Sequence, residues 1–359
     1  VSVNDLVFTS VGGVPAGESF HHLGGYVNSA PYGGSVPRTI AKYTLGLPRA
    51  FHAWLDDEEP PPALPPDSLG FSSAYGHGFR VGYQAAALTN DLDADGMLHR
   101  FALDAEIVAM PGFLHPGSFE TSFAQGNFAD FHLRFGWGDT GFDEGDVQSD
   151  VVLAGHYGQD FRVTERGGLE GTGAMVGIGS GWRFHSSKLL GRRDQLSAVH
   201  VVGPYAGIWA ASGPLTARLS ADAHLDFGAV RSLAYPAFRD RYGDEGLKTV
   251  LVRQGYTYDL GWSGRLRGSI GLGPLELSGR VLYGNYESIE GLDRFQEQVT
   301  RDVHGNEQVL EAGAWASVRV ASLVEIGVGV SERRRWSSLG DVSYRRWDRA
   351  YQLNVGLVF

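Results

Sequence analysis

The feature that most constrains this chain is a strict period-two alternation of apolar and polar residues, sustained over stretches of roughly 12 to 17 residues. Residues 215–227 carry it most cleanly. Leu215, Ala217, Leu219, Ala221, Ala223, Leu225 and Phe227 share one face, and Thr216, Arg218, Ser220, Asp222, His224 and Asp226 share the other. A period of two is the signature of a β-strand with two unlike faces. Strands of globular proteins usually run ~5–6 residues, whereas a tilted membrane-crossing strand needs ~9–11 residues in the hydrocarbon plus overhang. The same pattern returns around Tyr256–Ile270, Leu275–Tyr283, Leu310–Val320, Val324–Val330 and Phe101–Ala109.

Connection lengths supply an independent signal. Short turns fall at Ser212-Gly213, Gly273-Pro274 and Ala321-Ser322. Long, polar connections fall near 138–148, 187–196, 231–254, 288–305 and 334–345. Alternating tight turns and long loops are a property of bacterial barrels. The expected strands are 70–88, 96–110, 118–137, 149–164, 171–187, 197–211, 213–230, 255–271, 273–288, 306–320, 321–333 and 346–359. The third is interrupted by Pro111, Pro116 and Gly126. Fourteen or ten strands would also be compatible with the pattern. The expected fold is therefore all-β: a transmembrane, antiparallel, up-and-down β-barrel of about twelve strands, with a short, partly helical N-terminal extension.

Composition agrees with this and narrows the function classes. The formal net charge is −11, which argues against a nucleic-acid partner. The absence of cysteine excludes disulfides and thiolate chemistry. No apolar run is long enough for a transmembrane helix. Two regions are expected. Residues 1–69 form an extension at the periplasmic mouth or in the lumen. Within it, 36–55 read as short helical turns broken near Pro48, and the acidic, Pro-rich stretch 56–67 as a linker. Residues 70–359 form an outer-membrane barrel. Val1 opens a segment with no basic n-region or apolar h-region, so an exported chain would be in its mature or trimmed form.

The last strand places Tyr351, Leu353, Val355, Leu357 and Phe359 on one face. A strand ending in Phe resembles the closing strand of bacterial outer-membrane barrels. That resemblance implies recognition by the barrel-assembly machinery, and contact with outer-membrane lipid and lipopolysaccharide. The opening Asn4-Asp5-Leu6, Gly12-Gly13 and Gly17-Glu18, with Arg38, Pro48, Arg49 and Phe51 after them, is similar to an uncharacterised family of Gram-negative outer-membrane barrels. The similarity covers about a sixth of the chain, and a further upstream region of that family is not matched. It implies fold and a bacterial outer-membrane location, and no activity.

If the apolar columns face lipid, the opposite columns face inward. They carry Arg80, Arg100, Arg134, Arg162, Arg218, Arg265, Arg267, Arg280 and Arg319 against Asp104, Glu106, Asp160, Asp222, Asp226, Asp259, Glu276, Glu311 and Glu325. Interleaved signs in a narrow lumen predict a mutually paired network rather than an open pore. Arg280 would then serve a carboxylate such as Glu276 or Glu311. Gly177, Gly179 and Gly181 make an inward column small enough to admit another segment, for instance the extension.

Ser220, Asp222, His224 and Asp226 invite an acid–base or nucleophile reading, with Ser263 or His200 as partners from neighbouring strands. Alternate residues on one strand are ~7 Å apart, so that column alone makes no triad. A histidine among many charges is more often a network member. His21 and His22 are a second pair, most simply an interface feature. Asp91, Asp93, Asp95 and Gly96 resemble the first half of a calcium loop. The position that should hold Glu is Ala102, so a solvated hairpin turn is the simpler reading and no metal or cofactor is expected. No Gly-x-Ser-x-Gly, His-Glu-x-x-His or P-loop motif occurs. The functional expectation is an envelope protein with a structural or transport-associated role and a charge-filled lumen. The alternatives are a narrow solute channel, or a lipid-acting hydrolase or acyltransferase.

Overall fold

Thirteen strand segments close into a barrel of twelve staves in the computed structural model, which describes residues 13–28, 76–124, 126–138, 141–165, 167–291 and 298–358. The segments are β1 (Gly76–Asn90), β2 (Asp95–Val108), β3 (Gly117–Phe123), β4 (Phe128–Gly138), β5 (Gly141–Val163), β6 (Leu169–Leu189), β7 (Arg192–Gly213), β8 (Leu215–Arg231), β9 (Tyr256–Leu272), β10 (Leu275–Ser288), β11 (Gly305–Arg319), β12 (Val324–Leu339) and β13 (Val342–Val358). Each pairs antiparallel with its neighbours, and β1 pairs with β13 from Arg80↔Val358 to Asn90↔Asp348, which closes the ring.

The extra segment comes from the stave whose pattern is interrupted. β3 and β4 both pair with β5, one after the other, with a break between them that contains Gly126. The break is stitched by Ala109 N–H to the Asn127 carbonyl (2.7 Å), Asn127 Nδ2 to the Ala109 carbonyl (2.8 Å) and Gly126 N–H to the Leu153 carbonyl (3.0 Å). Opposite it, β5 shifts register between Val152 and Ala154. β7 carries a second bulge, where the partners of β8 jump from His200↔Asp226 to Val202↔Leu225. A bulge inserts one residue and reverses which parity faces inward. The β5 shift therefore turns Tyr157, Gln159 and Phe161 inward. It turns Asp160 and Arg162 outward, against the sequence expectation, and the Arg162 side chain is 76% exposed beside Glu170.

The outward columns form an apolar band. Leu219, Leu225, Leu260, Leu266, Ile270, Leu277, Val281, Val328, Leu353 and Val355 are all exposed. A water-soluble protein does not sustain a continuous apolar belt of this extent, and a barrel made for a bilayer requires it. At one end the staves are joined by tight turns, with Gly213 (φ 62) and Gly273 (φ 60) in the left-handed region that favours glycine. At the other end several hairpins run on past the band. The stretches 138–148, 187–196 and 334–345, expected as loops, are largely continued strand. Helices α2 (Tyr235–Tyr242) and α3 (Thr249–Gln254) sit in the connection between β8 and β9.

The extension contributes α1 (Gly13–Asn28), earlier than the helical turns expected at 36–55, which lie outside the described residues together with the 56–67 stretch. Its four glycines hide it from propensity reasoning. Tyr26, 2% exposed, packs its ring 5.1 Å from His77 and 5.4 Å from Phe79. Both belong to the outward column of β1. The outward-facing Ala105, Ile107, Ala129 and Val151 are also buried on this side, where α1 crosses β2, β4 and β5. The helix thus lies against the outer wall rather than in the lumen. The inward column Gly177, Gly179 and Gly181 makes room for other groups: a Cβ on Gly179 would meet His224 Nε2 at 3.4 Å, and one on Gly181 would meet the Asp150 carboxylate.

Candidate functional site in the lumen

The inward columns are stratified. Nearest the tight-turn end lies an aromatic layer. The β2–β3 connection folds inward and delivers Phe113, whose ring stands 5.0 Å from Tyr157 and 5.4 Å from Trp209. Phe128, Phe161, Met110, Met175 and Tyr205 complete the cluster, all of them buried. Gln159 pins the connection. Its Oε1 accepts from the Tyr157 hydroxyl (2.7 Å) and the Leu114 N–H (2.9 Å), and its Nε2 donates to the His115 carbonyl (2.7 Å). Burial of this many aromatic side chains supplies the main apolar contribution at this level.

An ionic layer follows. Arg265 reaches across from β9 to Asp150 on β5 with two bonds (2.5 and 2.9 Å) and also holds Asp222 (2.7 Å). Arg267 meets Asp130, and Arg218 meets Glu106. Arg183 spans Asp146 (3.3 Å) and Glu311 (2.7 Å), and Arg333 shares Glu311 (2.7 Å). Arg80 bridges Glu276 and Glu325, each at 3.3 Å. Arg100 forks onto Glu144 (2.5 and 3.1 Å), and Asp104 pairs with His132. Forked, charge-assisted bonds of this kind are the strong members of their class.

Residues bearing on catalysis come together only in part. Asp226 Oδ1 lies 2.8 Å from His200 Nδ1, and Ser263 Oγ lies 3.3 Å from that same nitrogen. His224 Nδ1 lies 3.3 Å from Asp222, and the two imidazoles are 5.1 Å apart. A relay from acid through histidine to nucleophile uses the two ring nitrogens separately. Here carboxylate and hydroxyl share Nδ1, while His200 Nε2 is buried without a partner. Ser220, 4% exposed, is in register with Arg267 and is not joined to either histidine. The arrangement is a polar cluster rather than an assembled triad.

Beyond it the lumen is apolar again, with Leu196, Ala198, Val230, Tyr286 and Val309 buried together. Among them Arg335, 1% exposed, binds Asp194, Glu307 (2.7 Å) and the Arg231 carbonyl (2.9 Å). Asp259 accepts from the Thr257 hydroxyl at 2.9 Å. At the loop end, Tyr235, Phe238, Leu247, Leu251 and Leu339 form a small separate core. Arg301 ties that core down by donating to the carbonyls of Tyr242 (3.1 Å) and Gly243 (2.6 Å). The β6–β7 hairpin leans across, placing Leu189 and Leu190 against Ala86, Leu88 and Leu98, and Arg192 on Asp91.

That last pair belongs to the Asp91, Asp93, Asp95 segment. Asp91 is taken by Arg192, and the Asn90 side chain accepts the N–H groups of Leu92 (2.9 Å) and Ala94 (3.2 Å), as a hairpin turn requires. No group of three or more potential metal ligands occurs among the described residues. Arg319 is exposed at the tight-turn rim, in register with Glu325. Phe359 lies outside the described residues; Tyr351, Leu353, Val355 and Leu357 face outward and are exposed.

Several members of this site escaped sequence reasoning: Asp130, His132, Asp146, Asp150, Glu144, Arg183 and Asp194. The signal was present as alternation, Asp130-x-His132-x-Arg134 and Glu144-x-Asp146-x-Gln148-x-Asp150. It fell in the interrupted stave and in a stretch taken for a loop. Arg280 is also placed differently from expectation. Glu276 belongs to Arg80, Glu311 to Arg183 and Arg333, and the Arg280 guanidinium instead lies 5.4 Å from the Trp315 ring centre.

No family model matches the chain. No curated protein matches it. Among solved structures, it resembles a NanC porin at 8% identity over 77% of this chain and 98% of that one, with a TM-score of 0.33. It resembles a loop-deleted OmpT of Vibrio cholerae at 10% identity over 80% and 100%, TM-score 0.24. OprB of Pseudomonas putida shares 8% identity over 80% and 94%, TM-score 0.26.

Proposed function

We propose that the chain is an integral β-barrel of the bacterial outer membrane whose lumen is filled, and that it serves the envelope in a structural or transport-associated role without acting as a diffusion pore. In this reading the tight turns and both chain ends face the periplasm, and the extended hairpins face outside. The lipid-exposed band supports residence in a bilayer, and the β-strand route into bacterial membranes supports the outer one. One observation carries the closed lumen. Arg265 spans the lumen from β9 to Asp150 on β5, four staves along the ring, with the Phe113–Tyr157–Trp209 layer on one side of it and the Leu196–Tyr286–Val309 layer on the other.

The outward face of the last strand supports docking to the assembly machinery. Deleting Phe359 should lower insertion in cells more than it lowers the stability of inserted protein. Lipopolysaccharide contact is supported by the outward cluster of Arg349, Arg334 and Glu332 just past the apolar band. A lipid-acting enzyme is less well supported, because the Ser263–His200–Asp226 contact is buried in the lumen, away from either leaflet. Planar-bilayer recording tests the proposal. The purified barrel should insert without giving sustained conductance steps, and regular ohmic steps from the wild type would overturn it.

A further inference from the structure

The ionic layer is not fully paired, and its exceptions stand together. A cavity of about 460 Å³ occupies the lumen between the aromatic layer and the β9–β13 side of the wall. Eight carboxylates line it: Asp104, Glu106, Asp130, Asp146, Asp150, Glu276, Glu311 and Glu325. Seven of them have an arginine partner, and Asp104 pairs with His132, as described above. Seven arginines line the same cavity. Five are paired. Among the described residues Arg134 and Arg280 have neither a hydrogen bond nor an ion pair, although Arg134 is only 9% exposed and its Nε is buried without a partner. Arg280 is held in place by stacking on Trp315, whose indole N–H donates to Gln352 at 3.2 Å.

Two forked cations facing one confined space, with all neighbouring carboxylates engaged elsewhere, are a poor resting arrangement for protein alone. They are a good one for an anion. Guanidinium groups match carboxylate and phosphate oxygens two at a time, and a cavity of this size falls in the range of small-molecule sites, ~300–1,000 Å³. Access is one-sided. The cavity reaches the tight-turn rim, where the Arg80 and Glu276 side chains are 40% and 32% exposed, and it is backed by the Arg265–Asp150 crossing.

We infer that the lumen holds a binding well for a small soluble oxyanion, a carboxylate or phosphate compound entering from the tight-turn side, with Arg134 and Arg280 as its ligands. The identity of that side as periplasmic rests on the preceding proposal; the site itself does not. The five paired arginines, Arg80 at the rim among them, keep the wall in shape without competing for the anion. The indole under Arg280 makes Trp315 a built-in reporter.

The test uses the full chain in detergent micelles or lipid nanodiscs. Inorganic phosphate and succinate are titrated separately, with glycerol as the neutral control, and followed by calorimetry and by tryptophan fluorescence. Saturable binding of either anion, weakened by added salt and absent with glycerol, is the expected result. Phosphate alone would name a phosphate class, succinate alone a carboxylate class, and both a general oxyanion site. R134Q and R280Q should each weaken binding tenfold or more. R134K and R280K, which keep the charge and lose the fork, should weaken it less. R162Q, on the outer wall, should leave it unchanged, and W315F should remove the fluorescence change while calorimetric binding persists. No saturable binding of either anion to wild type, or equal binding to wild type and to both glutamine variants, would overturn the inference. Conductance is a separate measurement, so a conducting barrel that binds and a closed barrel that does not are told apart.

Discussion

The two sides of the lumen carry the same kinds of charge and differ in bulk. Along β4 to β7 the inward columns at the tight-turn end hold Phe128, Tyr157, Phe161, Met175, Tyr205 and Trp209, and the β2–β3 connection adds Phe113. Along β10 to β13 and β1, the corresponding positions are Ser278, Ser317, Gly327, Gly356, Gly82 and Gly78, and there the cavity opens. Charge alone therefore does not decide where a barrel lumen is solid. Arginine and carboxylate line both sides, and the space between them depends on whether neighbouring inward positions are aromatic or minimal. Pairing does not follow that divide: Arg80 on β1 is paired on the open side, and the unpaired Arg134 and Arg280 stand on β4 and β10, one from each side, around the same cavity.

This contrast can be broken at its strongest point first. Replacing Arg265 by Ala leaves Asp150 and Asp222 buried and short of a cation, which should cost roughly 3–5 kcal/mol. Phe113→Ala removes the inserted ring of the solid side and should cost about 3–4 kcal/mol. It should also introduce leak currents that the wild type lacks. Both losses can be read from urea-dependent folding into lipid vesicles, and near-wild-type stability of either variant would mean that the layer it belongs to is not packed as described.

Ala221→Arg probes the outer wall at the same depth. Placed on the exposed face between Leu219 and Ala223, it should cost ~2–4 kcal/mol, while Ser220→Ala, one residue away and facing inward, should stay within about 0.5 kcal/mol. Equal losses at the two positions would contradict the assigned faces. The smallest expected effect is the sharpest discriminator. Arg280→Gln should leave thermal stability nearly unchanged, because among the described residues no carboxylate is hydrogen-bonded or ion-paired to Arg280, in contrast to Arg265→Ala. A clear loss of stability would place Arg280 inside the paired network after all.

How much of this was legible in the sequence follows from what each face touches. Within the apolar band, outward positions must be apolar and inward ones are mostly not, so alternation marks Leu215–Phe227 or Tyr351–Leu357 without ambiguity. Past the band both faces meet water or polar neighbours. Val342–Arg345 and Gly141–Gln148 then read as loop although they are paired strand. The aromatic layer was hidden for the opposite reason. Tyr157, Phe161, Tyr205 and Trp209 are inward and apolar, so hydrophobicity reports the wrong face for them. The partners of the charges were not legible either. Arg265 with Asp150 and Arg80 with Glu276 meet across the lumen between residues 115 and 196 positions apart, and only the closure of the ring brings them together. The candidate column Ser220, Asp222, His224 and Asp226 faces inward and is buried. That its histidine neighbour would hold serine and carboxylate on one nitrogen is a matter of rotamer and register, which no spacing rule contains.

The bulge in β7 has a consequence for how this chain can change. Below Val202 the inward residues carry odd numbers, Tyr205, Gly207 and Trp209; above it they carry even ones, Asp194, Leu196, Ala198 and His200. The extra residue acts as a reading-frame shift in the alternation. Deleting Val201 would leave His200↔Asp226 followed directly by Val202↔Leu225, a regular ladder in which Tyr205 and Trp209 still face inward. Deleting a residue of the regular ladder instead, for instance Ala206, while the upper half holds its register, would carry Trp209 to the outside and bring Ile208 into the lumen. One missing codon there would exchange the inner and outer surfaces of the rest of the strand, a larger change than any point substitution could make. Away from the bulge, length is under tighter restraint than residue identity, and single-residue indels in β7 should collect at the bulge among sequences that keep this barrel.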